Sequence, residues 1–306
     1  MRNRFADVFY ELGKTDPRLC VIVADISPAG SIAKFRNDFP RRFINTGVSE
    51  QIMIGMAAGM AQRGLKPFAY TIATFTLYRP FEMVRDDLCY QNLPVTIVGI
   101  GGGVTYSTLG ATHHAQEDVS IACAIPNMSV IAPCDPGETE SATRWCATQT
   151  QGPVYLRLGK AGEPDFTSKA AEPWAFGKLR RIRSGNDVCI ISYGPIMKRA
   201  FAVAESFEAA GKSCAVVSLS TIKPLDREGL AAIFREFEQV VVIEECAPTG
   251  SLAMQIKELA WNLGAKCRLD GFTLADKFIH CYGSHDDLLD AHGLSTTAIA
   301  TRLGLA

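Results

Sequence analysis

A glutamate stands at the start of an apolar helical run in the first third of the chain. The segment GVSEQ (47–51) places Glu50 just before IMIGMAAGMA, which has almost no polar face and is therefore predicted to be a buried helix. A first-turn glutamate can simply complement the positive end of the helix dipole. A carboxylate at the lip of a buried helix is also desolvated, and such carboxylates, which can hold or release a proton, are enriched at functional sites. The residues alone leave both interpretations open.

Three aromatic residues in TFTLYRPF (74–81) recur at helical spacing. Phe75, Tyr78 and Phe81 are predicted to lie along one side of a helix or helical turn. Aromatic residues at this spacing usually belong to a core. Pro80 suits the first turn of a following helix, which would leave some of the rings on the preceding loop, where aromatic side chains more readily face a ligand.

Two of the five histidines stand next to each other in LGATHHAQED (109–118). This short polar segment follows a predicted parallel strand, and open α/β sheets bind their ligands at the carboxyl ends of such strands. The alternative is an ordinary solvent-exposed loop. Metal binding is disfavoured because no further ligand stands at a suitable spacing nearby.

Several motifs of well-understood chemistry do not occur in the sequence. There is no G-x-x-x-x-G-K-[ST] phosphate loop, no G-x-S-x-G nucleophile turn and no H-E-x-x-H zinc motif, and the glycines at 99–103 do not fit G-x-G-x-x-G. The ten cysteines contain no C-x-x-C pair, and most stand in apolar segments. We therefore expect reduced, buried thiols in a cytosolic protein and no metal site built from cysteine.

Composition and charge exclude several classes of partner. The 306 residues include 31 lysines and arginines against 32 aspartates and glutamates, which gives no electrostatic reason to expect nucleic acid or an anionic membrane as partner. The longest conspicuous apolar run, 52–61, is far shorter than the about 20 residues that span a bilayer. The amphipathic amino terminus lacks the uninterrupted apolar run of a secretory signal, so we expect a cytoplasmic protein.

Apolar, β-rich runs alternate with segments of helical period along the chain. Predicted strands are 19–25, 67–74, 95–101, 129–132, 154–158, 187–193, 214–219, 240–244 and 266–269; predicted helices are 5–14, 50–63, 78–91, 137–148, 196–210, 227–237, 252–263 and 286–303. This alternation predicts an α/β fold of two doubly wound domains, each a mostly parallel sheet covered by helices. The polar, proline-containing stretch after residue 158 indicates a linker at 161–180 between domains at 1–160 and 181–306.

The three segments GVSEQ, TFTLYRPF and GATHH, in this order and at this separation, resemble the carboxyl-terminal half of transketolase. They also resemble the related deoxyxylulose-phosphate synthases and the β subunits of 2-oxoacid dehydrogenases. The resemblance covers essentially the whole chain and is closest to split transketolases, in which this half is a separate polypeptide. It implies a domain that binds the pyrimidine of thiamine diphosphate, followed by the transketolase C-terminal domain, which we expect to serve dimerisation and orientation.

The resemblance implies roles for individual residues. Glu50 matches the glutamate that hydrogen-bonds the aminopyrimidine of thiamine diphosphate, where a proton shared with N1′ lets the 4′ nitrogen remove the proton from C2 of the thiazolium. Phe75, Tyr78 and Phe81 match the aromatic pocket for the pyrimidine, with Tyr78 as the expected stacking ring. His113 matches a substrate-site histidine that donates hydrogen bonds to hydroxyl or oxyanion oxygens.

Three further residues are implied at or near the substrate site. Arg157, at the end of VYLRL, matches an arginine that grips a sugar phosphate, a task that suits the bidentate guanidinium. Arg2 is a candidate for a second phosphate-binding arginine. Asp25 ends the first predicted strand and is either another neighbour of the site or a structural cap.

Two departures from the family pattern shape the prediction. Transketolases carry D-G-x-T-H at the histidine loop, and here Leu109 replaces the aspartate that reads a substrate hydroxyl, which leaves the donor open. The G-D-G motif and downstream asparagine that bind the diphosphate and Mg²⁺ in this family do not occur in this chain. We therefore expect an obligate partner subunit that carries those ligands, an active site at the subunit interface of an α2β2 assembly, and no metal ligand from this chain.

The expected activity is transfer of a two-carbon ketol unit from a ketose phosphate to an aldose acceptor. The T-H-H sequence and Arg157 favour sugar phosphates over the main alternative, the β subunit of a 2-oxoacid or acetoin dehydrogenase. An enzyme like deoxyxylulose-phosphate synthase is another alternative. A flavodoxin-like binding or scaffolding protein without chemistry is the last, and Glu50 argues against it because a degenerate copy has little reason to retain a carboxylate there.

Overall fold

The computed structural model describes residues 1–27 and 30–305, and within them twelve strands form two sheets. The strands are β1 (Leu19–Val23), β2 (Phe43–Asn45), β3 (Lys66–Ile72), β4 (Thr96–Ile100), β5 (Ser129–Ile131), β6 (Val154–Leu158), β7 (Arg180–Arg183), β8 (Val188–Ser192), β9 (Cys214–Ser218), β10 (Thr221–Lys223), β11 (Gln239–Ile243) and β12 (Arg268–Phe272). The helices are α1 (Arg2–Thr15), α2 (Ser31–Asp38), α3 (Glu50–Gln62), α4 (Ala73–Leu77), α5 (Phe81–Met83), α6 (Asp118–Ala124), α7 (Pro136–Thr148), α8 (Met197–Ala209), α9 (Arg227–Glu236), α10 (Leu252–Leu263), α11 (His285–Ala291) and α12 (Thr296–Leu303).

The first sheet has the order β10-β5-β6-β4-β3-β1-β2. Strands β1 to β6 pair in parallel, and β10 adds to the edge at β5 in the antiparallel direction. Helices α1, α2 and α7 pack on one face, and α3 and α6 pack on the other. Because β1 and β4 are buried on both faces, their sequences LCVIV and TIVGI are continuous apolar runs rather than alternating patterns.

The second sheet has the order β12-β11-β8-β9-β7, with β7 as an antiparallel edge strand. Helices α8, α11 and α12 cover one face, and α9 and α10 cover the other. Two mostly parallel sheets with helices on both faces confirm the predicted fold class. In parallel sheets the carboxyl ends of the strands share one edge, which is where loops from distant parts of the sequence meet.

Helix α3 is buried on one side only, so the expectation of a helix buried all round was wrong. Met53, Ile54 and Ala57 pack into the core, whereas Ile52 is 58% exposed and Met56 lies on the same outer face. The missing polar face therefore does not reflect complete burial within this chain. It leaves an apolar surface uncovered, which is typical of a protein–protein contact.

Two predicted helices are divided in the structure. A single helix was expected at 78–91. In the structure α4 comes first, a turn at 78–80 that includes Pro80 follows, and the chain then continues through α5 into a π-helix at Val84–Tyr90. The helix expected at 286–303 is broken into α11 and α12, because Gly293 adopts a φ of 78° and Ser295 caps α12. The short elements α2, β2, α6, β7 and β10 were not predicted.

The segment between the two sheets has no regular structure at 159–179 but is anchored to the rest of the chain. Asp135 accepts hydrogen bonds from the backbone of Phe166 and from both the backbone and the hydroxyl of Thr167. Trp174 donates to the Ser220 hydroxyl at 2.8 Å. Strand β10, which follows the proposed linker, belongs to the first sheet. The domain limits at 160 and 181 stay a prediction.

Most of the cysteine side chains are buried, and the described helices are short or polar. Seven cysteines are buried, two are partly buried and Cys281 is exposed, and all ten are unpaired thiols. In the ranges 1–27 and 30–305, the helices are too short or too polar to cross a bilayer.

Candidate active site

Glu50 is the first residue of α3 and is 3% exposed. It follows β2, the edge neighbour of β1, so it lies at the carboxyl edge of the first sheet. Its Oε1 accepts a hydrogen bond at 2.8 Å from Nη1 of Arg79, a residue whose side chain is 44% exposed. The carboxylate is therefore almost completely buried, and its charge is paired with a cation whose side chain is partly exposed.

The Arg79 guanidinium also lies on the ring of Phe75, with Cζ 4.1 Å from the ring centroid. Phe75 in turn meets the His113 ring edge to face, at 5.1 Å between centroids. The structure thus brings together Glu50, Phe75 and His113, which were predicted to share one site. It adds Arg79, which was not predicted although the residue stands inside TFTLYRPF.

The other two aromatic residues are placed differently. The Tyr78 hydroxyl donates to the Glu117 carboxylate at 3.0 Å and accepts from the Glu117 backbone N–H at 3.2 Å. The Tyr78 side chain is therefore hydrogen-bonded to the loop that carries His113. Burial, followed by the charges of Asp118 and Glu117, raises the pKa of Tyr78 well above its usual value. Phe81 is 39% exposed at the start of α5. Phe75, rather than Tyr78, is the aromatic ring that faces the cation at Glu50.

His113 ends a single 3-10 turn at Ala111–His113 in the loop after β4. Its Nδ1 lies 3.0 Å from the Thr112 hydroxyl. Burial, and then the positive charge of Arg79, lowers the pKa of His113 below its ordinary value. The imidazole is therefore neutral at neutral pH and can donate one hydrogen bond while accepting another.

Arg157 is buried inside the chain rather than exposed beside Glu50. Its Nε donates to Asp118 at 2.8 Å, and its terminal nitrogen Nη2 donates to the Glu245 backbone carbonyl at 2.9 Å. The Tyr155 hydroxyl also donates to Asp118, at 2.7 Å. Burial alone would lower the pKa of Arg157, but the charge of Asp118, together with Tyr193, Glu245 and Tyr155, outweighs burial and raises that pKa. This placement gives Arg157 a structural task, and its proposed contact with a phosphate is a prediction from the resemblance alone.

Arg2 and Asp25 lie at other positions of the same sheet edge. Arg2 is half-buried at the start of α1, and its Nε is buried without a hydrogen-bond partner in the described residues. Asp25 follows β1 with a φ of 45°, is exposed, and its backbone N–H donates to the Asn45 side chain at 3.1 Å. Neither residue contacts the cluster around Glu50 through a hydrogen bond.

A metal centre is not formed by the part of the chain that the structure describes. No group of three or more histidine, cysteine, aspartate or glutamate side chains in 1–27 and 30–305 is arranged to hold an ion.

Both halves of the chain match described protein families. Residues 1–162 match the transketolase pyrimidine-binding domain, and residues 177–299 match the transketolase C-terminal domain. The chain is 35% identical over 304 residues to the putative transketolase C-terminal section of Methanocaldococcus jannaschii, covering 99% of this chain and 95% of that protein. It is 29% identical over 302 residues to a subunit of the apulose-4-phosphate transketolase of Phocaeicola vulgatus, covering 97% and 96% of the two chains.

A solved structure shares the whole architecture. A split-gene transketolase, described as an inactive beta4 tetramer, matches with a TM-score of 0.89 at 31% identity, covering 99% of this chain and 96% of that chain. The match spans both sheets and therefore includes the loops that meet around Glu50.

Proposed function

The chain belongs to the transketolase family as a subunit of a split transketolase, and we propose that it binds the pyrimidine ring of thiamine diphosphate while a separate partner chain holds the diphosphate and Mg²⁺. The observation that carries this proposal is that Glu50, Phe75 and His113 lie close together at the carboxyl edge of the first sheet.

The side chains around Glu50 suit a flat ring that donates hydrogen bonds. The Arg79 guanidinium is itself planar, donates to the Glu50 carboxylate and lies on the face of Phe75. An aminopyrimidine needs the same two contacts, an acceptor at its edge and an aromatic face below it. The space that Arg79 occupies is thus one that the cofactor ring fits, once the arginine has moved away.

In this arrangement each residue has a task of its own. Glu50 holds a proton at the pyrimidine nitrogen that faces it, and Phe75 fixes the ring plane. When bound, thiamine diphosphate supplies a carbon nucleophile for cleaving and forming bonds next to a ketone carbonyl. To donate a hydrogen bond to a substrate oxygen, His113 needs its proton on Nε2. The Thr112 hydroxyl favours this tautomer by donating to Nδ1.

We propose a ketose phosphate as donor and an aldose as acceptor. A neutral His113 at the cleft suits hydroxyl and developing oxyanion oxygens of a sugar, because it can donate without carrying a charge. The phosphate contacts of Arg157 and Arg2 stay part of this proposal as implied by the resemblance. The exposed Leu109 offers no hydrogen bond to a donor hydroxyl, so the identity of the donor is left to experiment.

We propose an α2β2 assembly in the cytoplasm. The uncovered apolar face that includes Val48, Ile52 and Met56 adjoins Glu50 on α3, and an apolar surface of this kind supports burial against another chain. The relative from Phocaeicola vulgatus is named as one subunit of its transketolase, which agrees with a partner chain. Ten unpaired thiols suit a reducing compartment.

Reconstitution with an amino-terminal transketolase subunit from the same organism tests the proposal. Calorimetry should show tight, Mg²⁺-dependent binding of thiamine diphosphate to the pair and not to this chain alone. The pair should transfer a ketol unit from xylulose 5-phosphate to ribose 5-phosphate, and Glu50→Gln should abolish the transfer. Tight Mg²⁺-dependent binding by the isolated chain, or full activity of the Glu50→Gln pair, contradicts the proposal.

The same pair separates the alternatives. A 2-oxoacid dehydrogenase component would decarboxylate pyruvate and reductively acylate an oxidised lipoyl group, without turning over xylulose 5-phosphate. A deoxyxylulose-phosphate-synthase-like enzyme would condense pyruvate with glyceraldehyde 3-phosphate and release carbon dioxide. Either result would replace ketol transfer as the activity while keeping the cofactor site.

A further inference from the structure

We infer that Glu245, in the second half of the chain, is a positioning residue that holds the histidine loop (109–118) at the active site. The inference rests on the proposed function, because it is that function which brings His113 to the substrate. It also gives the second α/β unit a task in the reaction that neither dimerisation nor general stability supplies.

Glu245 follows β11 and is completely buried. Its Oε1 accepts a hydrogen bond from the Val104 backbone N–H at 2.6 Å. The adjacent Gly103 has a φ of 64°, and a Cβ at that position would overlap the Glu245 carboxylate. Only glycine allows the backbone after β4 to come this close to the Glu245 carboxylate, so the contact depends on both Gly103 and Glu245.

The contact at Val104 is passed on to the histidine loop through an isolated β-bridge. The Gly103 N–H donates to the Ala115 carbonyl at 3.0 Å, and the Ala115 N–H donates back to the Gly103 carbonyl at 2.8 Å. Ala115 stands two residues after His113. The Glu245 carboxylate therefore fixes residues 103–104, and Gly103 pairs with Ala115 near the end of the histidine loop.

Residues that follow Glu245 in the sequence also hydrogen-bond to the histidine loop and to the start of α6. The Ala247 N–H donates to the Gln116 carbonyl at 2.7 Å, and the Ser120 hydroxyl donates to the Thr249 carbonyl at 2.8 Å. The Glu245 carbonyl accepts from Arg157, which also holds Asp118 at the end of the loop. The segment 244–249 thus contacts residues 115–120 at several points.

A histidine from α11 contacts the same carboxylate oxygen. His285, at the start of α11, lies with Nε2 2.8 Å from Glu245 Oε1. Burial on its own would raise the pKa of Glu245, but His285 and then Arg157 lower it, so the group stays ionised. An ionised acceptor makes a stronger hydrogen bond to the Val104 N–H than a neutral one, which favours a single position of the loop.

The cofactor pocket contacts the histidine loop through Phe75 and Tyr78 but shares no hydrogen bond with Glu245. Glu50 begins α3, Arg79 lies in the turn after α4, and neither shares a hydrogen bond with Glu245. Loss of the Glu245 contacts should therefore displace the substrate histidine more than it displaces Glu50 and Arg79. A displacement of about 1 Å can cost up to about a hundredfold in rate, because reacting groups must be held close to their productive geometry.

The test compares Glu245→Ala and Glu245→Gln with Glu244→Ala in the reconstituted pair. Glu244 is an equally buried neighbour whose carboxylate binds the N–H groups of Leu252 and Ala253 in its own half. We expect Glu245→Ala to raise the KM for xylulose 5-phosphate about tenfold or more. Glu245→Gln should do so less, because its amide oxygen still accepts from Val104. The Kd for thiamine diphosphate should stay within about twofold.

Hydrogen exchange of the intact chain supplies a readout that needs no activity. Glu245→Gln, which serves even if the alanine variant does not fold, should speed exchange in the peptides covering 103–118 and leave α3 unchanged. An unchanged donor KM together with unchanged exchange overturns the inference, and so does an identical response of the Glu244 variant. If wild-type pairs show no ketol transfer, the proposed function fails, whereas the exchange data still decide whether Glu245 holds the loop.

Discussion

Arg79 Nη1 lies 2.8 Å from Glu50 Oε1, so the carboxylate proposed to meet the cofactor is already engaged within its own chain. The same guanidinium rests on Phe75, the ring proposed to support the cofactor. In the proposed function, the pyrimidine would take the place of Arg79 in both contacts.

Replacing Arg79 by methionine should tighten the binding of thiamine diphosphate to the reconstituted pair. The partly buried ion pair and the cation–π contact together contribute about 1 to 1.5 kcal/mol, so their loss should lower the Kd by up to about tenfold. Calorimetry measures this directly. Arg85→Met, at an exposed arginine paired with Asp86, should leave the Kd unchanged. A weaker Kd for Arg79→Met would mean that Arg79 is a ligand of the cofactor rather than a competitor.

Replacing Arg157 by methionine should destabilise the protein rather than weaken phosphate binding selectively. The substitution leaves Asp118 buried with an uncompensated charge, which costs about 3–5 kcal/mol. Urea unfolding measures the loss. Arg144→Met, which removes an exposed pair with Glu140, should cost about 0.5 kcal/mol or less. Unchanged stability with a higher KM only for phosphorylated donors would instead assign Arg157 to the phosphate.

Replacing Leu109 by aspartate should change the choice of donor with little effect on stability. The side chain is exposed, so the free energy of unfolding should change by no more than about 0.5 kcal/mol. A hydrogen bond to a charged group contributes about 1.5–3 kcal/mol, so kcat/KM should rise about tenfold or more for a donor whose hydroxyl the new carboxylate reaches. Thr108→Asp controls for the added charge. Equal effects on all donors in both variants would contradict the prediction.

Raising the pH should weaken the contact between His285 and Glu245. Burial lowers the pKa of His285, but the charge and hydrogen bond of Glu245 outweigh it, with Asp286 adding and Arg157 opposing, so the pKa is raised above its usual 6.5. A raised pKa contributes stability that is fully present below about pH 6.5 and is lost as the pH rises through the folded-state value. Because the pKa of Glu245 is lowered, its contribution is lost only when the pH falls below the usual carboxylate range.

Urea unfolding at several pH values measures this dependence. Wild type should lose more stability than His285→Asn as the pH rises above about 6.5, since the variant lacks the titrating group. The exposed His280 provides a matched control, and His280→Asn should follow wild type. Parallel curves for wild type and His285→Asn would show that the pair does not contribute in this range.

The sequence permitted prediction of elements that are buried on both faces and of the loops that join them. Strands β4 and β6 were found within a residue or two of their ends because a parallel strand must be apolar throughout. The resemblance of GVSEQ, TFTLYRPF and GATHH to one family predicted that Glu50, Phe75 and His113 share one site, and in the structure each follows a strand of one sheet.

Pairings between distant residues were not accessible from the sequence. Nothing in VYLRL shows that Arg157 meets Asp118, because a single strand does not reveal which loop covers its end. Glu245 and Arg79 were missed for the same reason. Strand β10 is three residues long and has no periodicity to detect. These features depend on packing between elements that lie far apart in the chain.

Strand β10 makes the first sheet dependent on the second half of the polypeptide. It pairs with β5, and the Ala132 N–H donates to the Ser220 carbonyl at 2.7 Å just beyond that pairing. A polypeptide ending at 161–180 would leave the edge of β5 bare, and bare edges invite association with other strands. The two α/β units are therefore not interchangeable modules: exchange of either one between homologous enzymes would have to carry residues 221–223 together with the sheet they complete.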